Sequence, residues 1–250
     1  MKHSHTRKIL FAVLACALGA AASAQNAPTA ASAPSTLNVA VGGVISPGSC
    51  TPTSGAIAFD MKKINPASLK DKAETPLAPI VQPLSIKCDG GDAAVALSVA
   101  GTVKAPTPSD AALEHKATGI QAEAKKGYIY DLVDAATSTT RIGRYVFQFR
   151  NFQYTTAAAN GKQAKALVVT SSDRAAWANA ADTAANAAQL KSDGTTYVTF
   201  ADPATPTVPV SASLFNGDIV IGAVIQPKSE LTINTDLTFR GETTITLSYL

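Results

Sequence analysis

Histidine is nearly missing from this chain. There are three in 250 residues, and two of them, His3 and His5, stand in the first five positions. Only His115 lies further on, in the polar run Leu113-Glu114-His115-Lys116. A zinc centre built on several histidines is therefore excluded, and His115 reads as a solvated surface residue. Beyond the first two dozen residues no apolar run is long enough to cross a bilayer. Signed charge is missing too. Lys2, Arg7 and Lys8 lie within residues 1–24, which hold no acid, so the other 226 residues balance 18 bases against 18 acids. That balance gives no electrostatic ground for nucleic acid or anionic lipid as a partner. Catalytic signatures are absent as well. Ser49 has no nucleophile-elbow context. Asp173 and Asp182 have no partner at a spacing that suggests paired-carboxylate chemistry. No helix signature follows Gly42-Gly43 or Gly90-Gly91, which read as a bulge and a turn and not as phosphate cradles. The expectation is a protein that is not an enzyme and carries no cofactor or metal.

What is present begins with an export signal over residues 1–24. A basic start is followed by an apolar run at 9–18 and by Ala22-Ser23-Ala24, the small-x-small pattern of a cleavage site. The run Val13-Leu14-Ala15-Cys16 supports a rival reading in which Cys16 is lipidated. After cleavage two cysteines remain, Cys50 and Cys88. An even pair in an oxidising compartment points to a disulfide, worth ~4 kcal/mol for a loop of this length in the chain-entropy model.

Residues 25–36 are Ala, Pro, Ser, Thr, Gln and Asn without apolar periodicity, a flexible leader. From residue 37 the chain reads as one domain to residue 250. Leu37, Val39 and Val41 alternate with Asn38 and Ala40 as a first strand, with the donor-segment reading left open. Further strands are expected at 56–61, 84–88, 94–99, 145–150, 165–170, 196–200, 218–225 and 231–239. Many short strands punctuated by Gly, Pro, Asn and Asp imply a sandwich or barrel. Residues 173–190 are Ala-rich around Trp177 and predict either a short helix lying on the sheets or an ordered surface loop. Trp177 anchors that segment or stacks on a sugar ring, and Tyr128 and Tyr130 are further candidates for a sugar site. Residues 101–127 form a second polar insertion.

The last segment carries the most information. Leu237, Phe239, Gly241, Thr243, Ile245, Leu247 and Tyr249 share one face of an extended chain, with Thr238, Arg240, Glu242, Thr244, Thr246 and Ser248 on the other. Such a two-faced ribbon is expected to be paired in a sheet with its apolar side inward.

Three runs then stand in order behind the export signal: Val44-Ile45-Ser46-Pro47-Gly48-Ser49-Cys50-Thr51-Pro52, Leu84-Ser85-Ile86-Lys87-Cys88-Asp89, and the closing Thr244-Ile245-Thr246-Leu247-Ser248-Tyr249-Leu250 with its penultimate tyrosine. The chain in this respect resembles the subunits of chaperone–usher fimbriae of Gram-negative bacteria. With Ile142-Gly143-Arg144-Tyr145 and Trp177 added, it looks like the group described as beta-fimbriae probable major subunit. The resemblance implies an all-β, immunoglobulin-like (pilin-type) sandwich left incomplete by one strand. It also implies a structural role in a pilus assembled by donor-strand complementation, contributing to adhesion. The implied partners are a periplasmic chaperone, an usher and neighbouring subunits, and the implied route runs through the periplasm to the fimbrium at the cell surface. Strand 237–250 would be the contact strand. The second function reading is a tip or surface adhesin binding host carbohydrate.

Overall fold

The computed structural model describes residues 49–52, 56–105, 127–179 and 187–250, all within the unit Ile45–Leu250. The signal, Cys16, the leader, the expected strand at 37–41 and His115 lie outside the described residues. In chain order the strands are β1 (Ser49–Pro52), β2 (Thr75–Pro76), β3 (Ile80–Asp89), β4 (Val95–Gly101), β5 (Ile129–Asp134), β6 (Arg141–Thr155) and β7 (Ala164–Lys165). They continue as β8 (Leu167–Ser171), β9 (Ala178–Asn179), β10 (Ala187–Gln189), β11 (Asp193–Ala201), β12 (Leu214–Ile225), β13 (Phe239–Arg240) and β14 (Thr243–Tyr249). The described fold is all-β, with no α-helix and only three short 3-10 turns.

Every pairing is antiparallel. The larger sheet runs β1-β3-β12-β6-β5-β13, with β2, β7 and β10 attached beside this path, and the smaller runs β14-β4-β11-β8-β9. Alternation explains both. In β6, Tyr145, Phe147 and Phe149 enter the core shared by the two sheets, opposite Ala223, Ile221 and Ile219 of β12. The intervening Val146 packs on the outer face with Val220 and Val224. From the smaller sheet, Val95, Leu97 and Val99 of β4 and Val198 and Phe200 of β11 enter the same core. Burying each such side chain contributes on the order of 2 kcal/mol.

Aromatic rings tie the sheets together. Phe200 of the smaller sheet stacks on Phe152 of the larger at 4.2 Å and meets Phe215 at 5.1 Å. Phe149 meets Phe152 edge-on at 5.9 Å. Cys50 and Cys88 stand directly opposite each other in the β1–β3 register and are joined as a disulfide with 38 residues between them. The expected pairing is present.

Four expectations change. The described part of 173–190 is not helical. Ser171 and Asp173 organise a turn there, the Asp173 carboxylate accepting from the N–H groups of Ala175 and Ala176 at 2.8 and 3.0 Å. Those two N–H groups, Ala176 foremost, and the Ser171 hydroxyl hold its carboxyl down to about 2. Arg174 adopts a left-handed φ of 65°, which no α-helix admits. The local side-chain hydrogen bonds outcompete the alanine propensity. Trp177, 8% exposed, then covers the outer face of the smaller sheet with Ala96, Val169 and Ala201.

Residues 56–61 alternate in burial as expected, yet form no strand, because no neighbouring backbone pairs with them among the described residues. The expected strand 165–170 is divided. Ala164–Lys165 pairs with β6 and Leu167–Ser171 pairs with β11 in the other sheet. Residues 231–238 leave a 3-10 turn at Lys228–Glu230 and join no ladder until Phe239.

Candidate functional site

The C-terminal ribbon is two strands, not one. Phe239 and Arg240 pair with Asp134 and Val133 in the larger sheet. Residues 243–249 pair with β4 in the smaller, from Thr243↔Gly101 to Tyr249↔Val95. The chain crosses between sheets at Gly241-Glu242. A Cβ on Gly241 would sit 2.7 Å from the Tyr145 ring and 2.9 Å from Leu132, distances no real Cβ tolerates. Only a glycine lets the backbone pass there.

β14 is the last strand of its sheet, and its outer edge has no partner among the described residues. Thr243, Ile245 and Leu247 point to the interior but stay half-buried, while Thr244 and Thr246 are exposed. The reason is an open apolar groove of about 850 Å³ alongside them. Its floor comes from the larger sheet, with Ile86, Phe147 and Ile221. Its far wall is the unladdered segment carrying Ile57, Phe59 and Met61, and its lower end is closed by Leu231, Ile233 and Leu237. The two rim segments are bridged by an exposed ion pair, Lys63 to Asp236 at 3.4 Å, a contact worth at most about 1 kcal/mol.

The upper end is pinned. The Tyr249 hydroxyl accepts the Cys50 N–H at 2.5 Å, and Leu250 N–H donates to the Ala94 carbonyl at 3.1 Å. Tyr249 is thus 49% exposed and spans from β14 to β1 without entering the core. Since Cys50 is bonded to Cys88, the tip of β14 is coupled through one side chain to the central strands of the larger sheet. At the lower end the Tyr145 hydroxyl shares a 2.5 Å hydrogen bond with Thr243. Burial, partly offset by that hydrogen bond and assisted by Asp131 and Glu242, pushes the Tyr145 phenol up to about 12. It holds its proton throughout the physiological range.

The groove can therefore bind but has nothing to react with. Its charged residues form ion pairs at the rim, and among the described residues no group of three or more His, Cys, Asp and Glu could hold a metal. No described helix is long and apolar enough to cross a membrane. What it offers a ligand is apolar surface and the free edge of a strand, the two requirements of strand addition.

Of the residues singled out in the sequence, Leu237, Gly241, Thr243, Ile245 and Leu247 line this groove together with Phe239, and Cys50, Cys88 and Tyr249 close its top. The structure does not bring Trp177, Tyr128 and Tyr130 together as a surface. Trp177 is buried on the opposite face of the smaller sheet. Tyr130 is buried against Tyr145 at 5.1 Å, its hydroxyl donating to the Leu190 carbonyl at 3.2 Å. The wall at 56–61 went unrecognised, although the alternation of Ile57, Phe59 and Met61 marked its inward face. Compared with known proteins, the chain matches no protein-family model and no curated sequence.

Proposed function

We propose that this chain is a structural subunit of a chaperone–usher type fimbria: an immunoglobulin-like, pilin-type sandwich one strand short, which accepts a strand from another protein. One observation carries the reading. The described C-terminal strand borders an apolar groove whose far wall, at 56–61, is extended yet unpaired. A strand laid there would gain main-chain hydrogen bonds along β14 and bury alternate side chains against Ile86, Phe147 and Ile221. In this reading the chain is exported to the periplasm, is held by a chaperone strand, and passes by an usher into a surface fibre where a neighbouring subunit's strand takes over. The adhesin alternative has less behind it, because the one tryptophan faces the smaller sheet and not solvent.

Co-expression with a periplasmic chaperone and its usher is expected to yield a chaperone complex and then multimers that resist SDS until heated. Ile245→Asp with Leu247→Asp places two charges on the groove wall and should abolish both species. A chain that never binds chaperone and runs as an SDS-sensitive monomer would overturn the proposal.

A further inference from the structure

Four positions fix a direction at the top of the groove. Ser49 pairs with Asp89 at the end of β3, and Tyr249 pairs with Val95 at the start of β4. β3 and β4 are joined by the short turn through Gly90 and Gly91. The start of β1 and the end of β14 therefore lie at the same end of the molecule, as the Cys50–Tyr249 hydrogen bond requires. Immediately upstream of Ser49 the sequence is Ser46-Pro47-Gly48. Pro followed by Gly suits the two central positions of a type II turn, Pro setting φ near −65° and Gly taking the positive φ. A chain reversing there runs back down the molecule beside β1, toward the groove.

The residues it would carry are Leu37-Asn38-Val39-Ala40-Val41-Gly42-Gly43-Val44-Ile45. They include no charge, and Leu37, Val39 and Val41 fall on one face. The seven residues of β14 span about 23 Å, and nine extended residues reach about 30 Å. Residues 25–36 have no side chain larger than proline or glutamine on an apolar face, so they could not fill the same space.

Resting on the strand-accepting reading of the groove, we propose that residues 37–45 of the same chain fold back over Pro47-Gly48 and occupy it. They lie antiparallel to residues 56–61 and parallel to β14, a closed form that competes with any strand from another protein. The tether is three residues, so the effective concentration of the segment at the groove is in the millimolar range or above. A chaperone or neighbour must displace it, and the closed monomer is the resting state of the unassembled subunit.

The test uses the chain from residue 25 onward and a synthetic peptide of residues 36–46. The intact chain should be monomeric at every concentration in sedimentation and bind the peptide weakly. L37D/V39D/V41D, which empties the groove, should bind it at least about tenfold more tightly, since the site no longer has an internal competitor. Gly48→Val alters no groove-lining residue and should shift peptide affinity in the same direction, a second measurement should the triple variant fail to fold. Equal affinity in all three chains would overturn the closed form while leaving the groove a strand acceptor. Concentration-dependent multimers of the intact chain that L37D/V39D/V41D abolishes would place the segment in a neighbour and also overturn it. Absence of peptide binding in every chain would overturn both the closed form and the strand-accepting groove.

Discussion

The two ends of the core are built from the same two sheets and packed in opposite ways. At one end Phe149, Phe152, Phe200 and Phe215 are buried almost completely and touch ring to ring across the sheets. At the other, Ile57, Phe59, Phe239, Ile245 and Leu247 are only partly covered. They face a space in place of a side chain. The aromatic end fills its volume from its own residues, whereas the groove end is short of about one strand's worth of side chains. Stability and receptivity are thus separated along the molecule. One end holds the fold and the other remains able to take a ligand.

The largest blow to that contrast should come from Phe200→Ala, which removes the one ring that ties the smaller sheet to Phe152 and Phe215. A loss of up to about 5 kcal/mol is expected from urea unfolding, and a loss near 1 kcal/mol would show that the rings do not carry the aromatic end. Alkaline pH should act next. The phenol of Tyr145 rises from 10.0 to about 12 in the folded chain, so its neutral form is favoured by folding. Its contribution is intact below pH 10 and drains away as pH climbs through about 12, costing on the order of 2 kcal/mol. Tyr145→Phe should remove that share of the fall. Gly241→Ala would force a methyl group against Tyr145 and Leu132 and should cost about 2 kcal/mol by overpacking, seen as a lower urea midpoint. Smallest is Ile245→Ala, which in the L37D/V39D/V41D background removes a half-covered side chain for about 1 kcal/mol. Losses there as large as at Phe200 would erase the distinction between the two ends.

Much of the aromatic end was legible in the sequence because strict alternation at 84–88, 94–99, 145–150, 196–200 and 218–225 records burial on a pleated surface. The groove end was less so, for the same reason. Alternation at 56–61 reports which side chains are covered but not whether a neighbouring backbone is present. Likewise the alternation from Leu237 to Tyr249 passes through Gly241 without interruption. The ribbon keeps one side toward the interior while it changes partners from β5 to β4, and a periodic pattern cannot show a change of partner. At 173–179 the count of alanines outweighed Ser171 and Asp173 in the reading, whereas in the structure two side-chain oxygens decide the path. The disulfide was readable from cysteine count and compartment alone.

The Cys50–Cys88 bond has a mechanical meaning. Tension applied through the segment upstream of β1 reaches Cys50 and passes covalently to Cys88, bypassing the few hydrogen bonds of the first strand. From there it loads β3 lengthwise against β12, eight paired residues in register. Such a ladder resists being slid far better than being unzipped. A subunit joined to others by its leader would therefore bear a pull on its strongest seam.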